Sequence, residues 1–179
     1  GPEAYVDRYL MPKLVICAAG DEFFMPDAPG LFWNTLKGEK HLRIVANAEH
    51  SLIGHVIDVA ATIQSFFVSL TKDYERPKFS WTIDEATGNI TVTLAPNSIT
   101  PKKVVMFHAH ASSKRDFRLV TCGDLNNPNC INPVLWFPKT LSDTGNGVYV
   151  ASMPIPETGY TGFLVQLEYK IGGVSFIDP

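Results

Sequence analysis

The chain has 179 residues, of which 45% are hydrophobic and 18% are charged, a composition typical of globular domains with one large core or two small ones. Its 15 lysines and arginines and 18 aspartates and glutamates give a formal net charge of −3 without a basic run, which argues against a nucleic-acid partner. The apolar stretches fall short of the roughly 20 residues that a membrane-spanning helix needs, so we expect no membrane span.

The first predicted domain, 1–76, alternates strands and helices. A continuous apolar strand over 12–19, of the kind buried on both faces in a parallel sheet, precedes a short helix with Asp27 as its N-cap. A second strand is predicted over 41–46 and a second helix over 51–70. This order is typical of the end of a doubly wound α/β sheet. The second helix has an apolar stripe, predicted to lie against the sheet, which consists of Leu52, Val56, Ala60, Ile63, Phe67 and Leu70.

The second predicted domain, 77–179, follows a change from helical to two-residue periodicity near Pro77. Seven or so short strands without a helix signal predict an immunoglobulin-like or fibronectin-like β-sandwich. The first two strands form a hairpin around a turn at 85–88. The predicted strands cover 79–83, 90–94, 103–111, 115–122, 134–141, 147–153, 163–171 and 174–177.

Two polar residues follow the two predicted strands of the first domain. Asp21 comes directly after Gly20, and His50 lies between the second strand and the second helix. In α/β-hydrolase folds the triad comes in the order Ser, Asp or Glu, then His, and these residues stand at the last two places. The Asp21 carboxylate would then accept the Nδ1–H of His50 and leave Nε2 free to act as a base. The alternative is that both residues make only local caps or polar contacts.

The nucleophile of such a triad is missing from the sequence. No Gly-x-Ser-x-Gly occurs, and the residues ahead of Leu14 are too few for the strand and helix that would present a serine. A chain that begins at Gly1-Pro2 is also typical of a piece cut from a parent. We therefore expect a C-terminal fragment that cannot run triad chemistry alone. Its unpaired sheet edge and exposed helix face predict self-association or tight packing onto the sandwich.

The three cysteines and the one glycosylation sequon bear on the compartment. Cys122 and Cys130 bracket a polar, turn-rich segment that could bring them close enough for a disulfide, which we favour over two free thiols. Cys17 lies within a strand and is expected to be inert. Asn89 begins the only Asn-x-Ser/Thr sequon, which would carry a glycan only in a secreted parent. Disulfide and sequon together favour an extracellular protein.

No residue pattern predicts a metal or another cofactor. His108 and His110 share one face of a predicted strand, but no third ligand is evident, so a paired surface or cleft face is favoured. The apolar loop 23–25 could line a substrate cleft, although such loops are also typical of lids or core contacts. We expect no cofactor.

Four motifs follow one another in the first third of the chain: PxxYxDRxxMPKL from Pro2, GDEFFxPD from Gly20, LxGEKxLR from Leu36 and NAxHSL from Asn47. Their conjunction resembles the PhoPQ-activated pathogenicity-related family. The later β-rich part is similar to the C-terminal domain of that family only in general pattern. The resemblance implies an α/β-hydrolase fold in the parent, with Asp21 and His50 at the acid and base positions and the serine upstream.

The same resemblance implies two functions of different classes. In the first, the parent is a secreted signalling protein that represses proliferation and repels cells, and this chain binds a cell-surface receptor without catalysis. In the second, the parent is a secreted or periplasmic serine hydrolase, an esterase or peptidase, and this chain carries its acid and base. A third reading makes the sandwich only a structural or oligomerisation module. The absence of a nucleophile favours the signalling function modestly, and the sequence does not separate the first two.

Overall fold

A computed structural model of the chain describes residues 2–122, 126–132 and 134–178. These residues form one α-helix and nine strands, so the fold is mixed α/β with mostly β structure. The elements, in chain order, are β1 (Lys13–Ala18), β2 (Lys40–Val45), α1 (Val56–Thr71), β3 (Phe79–Ile83), β4 (Ile90–Leu94), β5 (Lys103–Ala111), β6 (Phe137–Thr140), β7 (Val148–Ala151), β8 (Tyr160–Ile171) and β9 (Val174–Asp178).

The strands form three sheets. β1 and β2 pair in parallel, from Lys13 opposite Lys40 to Ala18 opposite Val45. An antiparallel sheet of three strands has the order β3-β4-β7, and one of four strands has the order β6-β5-β8-β9. The two antiparallel sheets share one hydrophobic core, to which β4, β5, β7, β8 and β9 all contribute buried side chains. We therefore find one apolar layer between two antiparallel sheets, beside a small parallel pair.

The predicted strands of the first part are confirmed, but their surroundings differ from the prediction. Residues 13–17 of β1 are only half-buried, because β1 pairs with β2 alone and its other edge carries no strand of the described residues. The predicted short helix is two turns of 3-10 helix, Ala28–Leu31 and Trp33–Thr35. Asp27 occupies the predicted N-cap position, but its side chain makes no cap hydrogen bond and instead pairs with Arg115.

The predicted apolar face of α1 is not the face that the helix buries. The helix begins at Val56, because Leu52 adopts a positive φ of 58° and ends the preceding turn. Leu52 of the predicted stripe is half-buried ahead of the helix, and the stripe residues within the helix are exposed, with Phe67 at 64% of its possible surface. The buried residues are instead Val59, Thr62, Ser65 and Ser69. Small side chains on this face let the helix lie close to β9.

Polar contacts join β2 to α1 and join the residue before β2 to the segment after α1. The Arg43 guanidinium is buried and donates to the Asp58 backbone carbonyl at 2.9 Å, to the Asp58 carboxylate and to the Thr62 hydroxyl. Glu39, just before β2, accepts from Arg76 beyond the helix, with 3.0 Å between Oε2 and Nη2. That hydrogen bond is the main reason that the pKa of Glu39 is lowered to about 2.

Most predicted strands of the second part are confirmed. The hairpin of β3 and β4 and the strand β5 have the predicted bounds, and Gly88 supplies the positive φ of 72° at the hairpin turn. The predicted strand over 115–122 is wrong: only Val120 forms an isolated bridge, with Ile131. The chain there turns locally, with the Asp116 carboxylate accepting from both the backbone and the guanidinium of Arg118.

Candidate active site

The loop after β1 begins where the backbone passes very close to two other segments. The Gly20 amide donates to the Ala48 carbonyl at 2.9 Å, and the Gly20 carbonyl accepts from the Leu119 amide at 2.8 Å. A Cβ at this position would lie 2.8 Å from the Leu119 Cβ, so only glycine fits without movement. This close approach fixes the start of the loop that carries Asp21.

The Asp21 carboxylate is buried, and both of its oxygens lie within hydrogen-bond distance of donors. Its Oδ1 accepts from the backbone amides of Phe23 at 2.8 Å and Phe24 at 2.9 Å, and its Oδ2 lies 3.0 Å from Nδ1 of His50. Burial by itself would raise the pKa of Asp21, but these amides and His50 outweigh it and lower the pKa below its ordinary value. Asp21 is therefore held as an anion.

His50 follows β2 in the turn before α1, and its ring is half-exposed. Its backbone amide donates to the Glu22 carboxylate at 3.2 Å. The ring of Phe23 meets it edge-on, with the centroids 4.8 Å apart. The hydrogen bond to Asp21 raises the pKa of His50 above its ordinary value. The structure thus brings together the two residues that the sequence pairs, with the carboxylate on the Nδ1 side.

Glu49 is a positioning residue that the sequence analysis missed. Its carboxylate is buried and accepts from the Ser51 amide at 2.7 Å and the Ile53 amide at 3.2 Å, as well as from the Ser51 hydroxyl. Burial opposes its ionisation, but these donors lower the pKa of Glu49 below its ordinary value. These donors lie in the turns before α1 rather than in its first turn, so no capping motif in the sequence signals the role of Glu49.

This arrangement has the chemistry of an acid–base pair. An ionised carboxylate on Nδ1 keeps the proton on that nitrogen, so the neutral ring presents Nε2 as a proton acceptor. Nε2 of His50 hydrogen-bonds none of the described residues, and half of the ring faces outward. A hydroxyl or water approaching from that side would meet a base, whereas the described residues supply no nucleophile in contact with it.

An apolar cleft opens beside the pair. It has a volume of about 810 Å³ and lies between β2 and the two antiparallel sheets. Phe23 and Met25 of the predicted cleft loop contribute to its lining, and Phe23 also contacts His50. The aromatic residues lining the cleft are Phe23, Trp81, Phe117, Trp136 and Phe163.

The remaining candidates lie apart from the pair. The structure joins Cys122 to Cys130 by a disulfide, with the Cα atoms 5.2 Å apart, while part of the intervening loop, 123–125, lies outside the described residues. Cys17 is half-buried in β1, and burial raises its pKa. Asn89 is half-buried, and its backbone carbonyl accepts from Asp84 in the hairpin turn.

The two predicted histidines of β5 do not assemble into a metal site. The His108 ring packs against Phe137, with the centroids 6.2 Å apart, and His110 lies within 3.5 Å of the Thr161 hydroxyl. No group of three or more potential metal-ligating side chains occurs in the part of the chain that the structure describes. Across the same residues, none of the helices combines the length and the apolar character that a membrane span requires.

Comparison with known proteins identifies the family. Residues 1–118 match the family of the PhoPQ-activated pathogenicity-related protein, and the chain belongs to that family. Autocrine proliferation repressor protein A of Dictyostelium discoideum is 42% identical over 185 aligned residues, which cover 99% of this chain and 37% of the relative. The chain therefore spans little more than a third of that relative's length. No solved structure matches it significantly.

Proposed function

We propose that this chain is part of a secreted signalling protein that represses proliferation and repels cells, and that it acts through a cell-surface receptor without catalysis of its own. The observation that carries the proposal is the 42% identity, over nearly the whole chain, to a relative named for autocrine repression of proliferation. The disulfide between Cys122 and Cys130 supports an extracellular location, because such bonds persist in oxidising compartments.

Binding to cells of the producing organism tests this function. The labelled chain is added over a range of concentrations, and we expect saturable binding that unlabelled chain displaces, together with movement of the cells away from a source of the protein. His50→Gln is the control, and it is expected to bind equally because signalling needs no proton transfer. Non-saturable binding, or binding that His50→Gln alone abolishes, would contradict the proposal.

The geometry of Asp21 and His50 favours a second function, in which the whole protein is a serine hydrolase of the esterase or peptidase type. The 3.0 Å contact between Oδ2 and Nδ1 supports these two residues as its acid and base. Residues 1–76 would then be the C-terminal part of an α/β-hydrolase domain, and 77–179 an immunoglobulin-like or fibronectin-like sandwich. The serine would lie upstream, as the chain order of such triads requires.

Labelling with a fluorophosphonate probe tests the hydrolase function in the longer protein that contains this chain. We expect the probe to label a serine, and ester turnover to fall by roughly a factor of a thousand or more in His50→Ala. His55→Ala is the matched control, since His55 lies five residues further on and its ring hydrogen-bonds only the Asn47 carbonyl among the described residues, at 3.3 Å. A His50→Ala protein with unchanged turnover would remove His50 from catalysis.

A further inference from the structure

The loop after β1 belongs both to the acid–base pair and to the apolar cleft. Asp21 contacts His50, and the next two residues, Glu22 and Phe23, line the cleft. The Phe23 ring meets the His50 ring with the centroids 4.8 Å apart. The Glu22 carboxylate accepts from the His50 amide at 3.2 Å. The lining of the cleft therefore begins next to the base.

The contact of Phe23 with His50 is held by the backbone. The Phe23 amide donates to Oδ1 of Asp21 at 2.8 Å, and Oδ2 of the same carboxylate lies 3.0 Å from His50. One carboxylate thus positions the base and the nearest part of the cleft wall. A ligand that extends out of the cleft past Phe23 would come to the half-exposed ring of His50.

The opposite walls of the cleft are apolar and come from both antiparallel sheets. A volume of about 810 Å³ is in the range of sites for drug-sized molecules, far more than a two-carbon group fills. The cleft therefore has room for a bulky apolar group. The side chains that β3, β4 and β8 contribute are Trp81, Ile83, Ile90, Val92, Phe163, Leu164 and Val165.

The charged side chains of the lining balance one another. Arg115 pairs with Asp27, and Arg118 pairs with Asp116. Arg118 and, more weakly, Lys114 lower the pKa of Asp116, so the charge of Lys114 also acts on a carboxylate of the protein. An anionic ligand would gain little from cations that already have carboxylates beside them. The lining therefore favours an uncharged group.

From the contact of Phe23 with His50 and the apolar, charge-balanced lining, we propose that the cleft is the specificity pocket of the hydrolase. It takes a bulky, uncharged aryl-alkyl or alkyl group of an ester substrate. This inference rests on the hydrolase function proposed above. The acid–base pair sets no substrate class by itself, because His50 could hand a proton to the leaving group of any ester. The cleft residues contact the body of the substrate and transfer no proton.

Binding of ketones to this chain tests the cleft without hydrolysis. 4-Phenylbutan-2-one and butan-2-one have no scissile bond, and they differ by one phenyl ring. We expect the phenyl ketone to bind about a hundredfold more tightly, because burial of each further carbon favours binding. Equilibrium dialysis measures both affinities. Equal affinities would overturn the proposal.

Two variants locate the binding. Ile83→Asp puts a charge on the lining at an exposed position, and we expect it to weaken 4-phenylbutan-2-one at least tenfold. Its control is Thr82→Asp, on the same exposed strand but not on the lining, which is expected to bind as wild type. If Ile83→Asp binds as wild type, or Thr82→Asp weakens binding as much, the cleft is not the site.

Ester turnover by the longer protein that contains this chain tests the use of the cleft. Ethyl 4-phenylbutanoate and its isomer 4-phenylbutyl acetate carry the ring on the acyl side and on the alcohol side. We expect the isomer whose ring enters the cleft to exceed ethyl acetate in kcat/KM by about a hundredfold. Ile83→Asp is expected to lower this ratio at least tenfold and Thr82→Asp to leave it unchanged. A ratio near one for both isomers would overturn the proposal.

A charged ester tests the preference for an uncharged group. Monoethyl adipate has the same chain as ethyl hexanoate but ends in a carboxylate. We expect its kcat/KM to be at least tenfold lower at neutral pH, because the carboxylate loses its hydration in an apolar cleft. If monoethyl adipate is the better substrate and Lys114→Ala removes its advantage, the cleft is an acid site and the proposal is wrong.

Failure of the hydrolase function and failure of the pocket give different results. If the fluorophosphonate probe labels no serine in the longer protein, the hydrolase function is wrong and the cleft is no substrate pocket. If a serine is labelled but Ile83→Asp and wild type have the same ratio of kcat/KM values, the hydrolase function stands and the assignment of the cleft is wrong.

Discussion

The molecule has two regions that bury different kinds of side chain. The first consists of β1, β2 and α1, and the second consists of the two antiparallel sheets. In the first, the helix buries Thr62, Ser65 and Ser69 and exposes Ile57 to 88% of its possible surface. In the second, apolar side chains from five strands fill one core. The first region therefore combines a small apolar cluster of Ala18, Val45, Ala48 and Val59 with specific polar contacts, whereas apolar burial dominates the second.

The largest expected effect concerns Arg43, the buried cation of the first region. Arg43→Ala removes a large buried side chain, and we expect the free energy of unfolding to fall by about 3 kcal/mol. Arg43→Met keeps most of the volume, and we expect it to cost less than about 1 kcal/mol, because Asp58 is half-exposed and can be hydrated. Urea unfolding measures both. If the methionine variant is as unstable as the alanine variant, the ion pair itself is required.

Two neighbouring phenylalanines on α1 sharpen the comparison within one helix. Phe66 packs against the core of the second region and stacks on Phe176, with the ring centroids 6.4 Å apart. We expect Phe66→Ala to lower the free energy of unfolding by about 2 kcal/mol and Phe67→Ala to change it by less than about 0.5 kcal/mol. Thermal or urea unfolding of the two variants checks this. Equal losses of unfolding free energy in the two variants would mean that the helix face that carries Phe67 is buried in solution.

The contact of Glu39 with Arg76 predicts a loss of stability in acid. The pKa of Glu39 is lowered to about 2, below its unfolded value, so its contribution is present above about pH 4.5 and disappears as the pH falls towards 2. At neutral pH we expect Glu39→Gln to cost about 1 kcal/mol, since the pair is partly exposed. Urea unfolding at several pH values measures the difference, which should shrink in acid. A constant difference across that range would contradict the assignment.

The Asp21–His50 pair predicts a change in the pKa of His50. Asp21→Asn removes the negative charge that raises the pKa of His50, so we expect that pKa to fall. The pair's contribution to stability through His50 is present below the ordinary histidine pKa and is lost as the pH rises through the raised value. NMR titration of the His50 ring protons in wild type and Asp21→Asn measures both values. An unchanged pKa would mean that the contact is absent in solution.

The exposed apolar residues of α1, which include Val56, Ile57 and Ile63, also predict self-association. Substitution of Ile57 by Lys leaves a surface position in contact with water, so we expect stability to change by less than about 0.5 kcal/mol. Light scattering is expected to report a larger species for wild type than for this variant, because the apolar patch is interrupted. A monomeric wild type would contradict this expectation.

The positions of the helix and strands were predicted better from the sequence than the contacts that these elements make. β3, β4 and β5 were located closely because two-residue alternation coincides there with strand pairing. The helix was found, but its buried face was assigned wrongly, because Thr62, Ser65 and Ser69 also recur at helical spacing and hydrophobicity alone points to the other face. The segment 115–122 alternates without being a strand, since Phe117 lines the cleft and Asp116 folds back onto Arg118.

For the candidate site, the sequence located the pair but not what surrounds it. Asp21 follows β1 and His50 follows β2. Because these two strands pair in parallel, both residues lie at the same edge of the pair. Glu49 was missed because its role depends on burial rather than on a motif. The cleft was missed almost entirely, because its lining comes from segments as far apart in the chain as Leu42 and Val165.

The most direct test of the signalling function is the growth of cells of the producing organism in the presence of the purified chain. We expect the chain to slow the increase in cell number in a dose-dependent, saturable manner, and His50→Gln to slow it equally. If the wild type slows growth and His50→Gln does not, the function depends on the acid–base pair. If neither protein affects cell number at saturating concentration, the proposal that this chain carries the repressing signal is wrong.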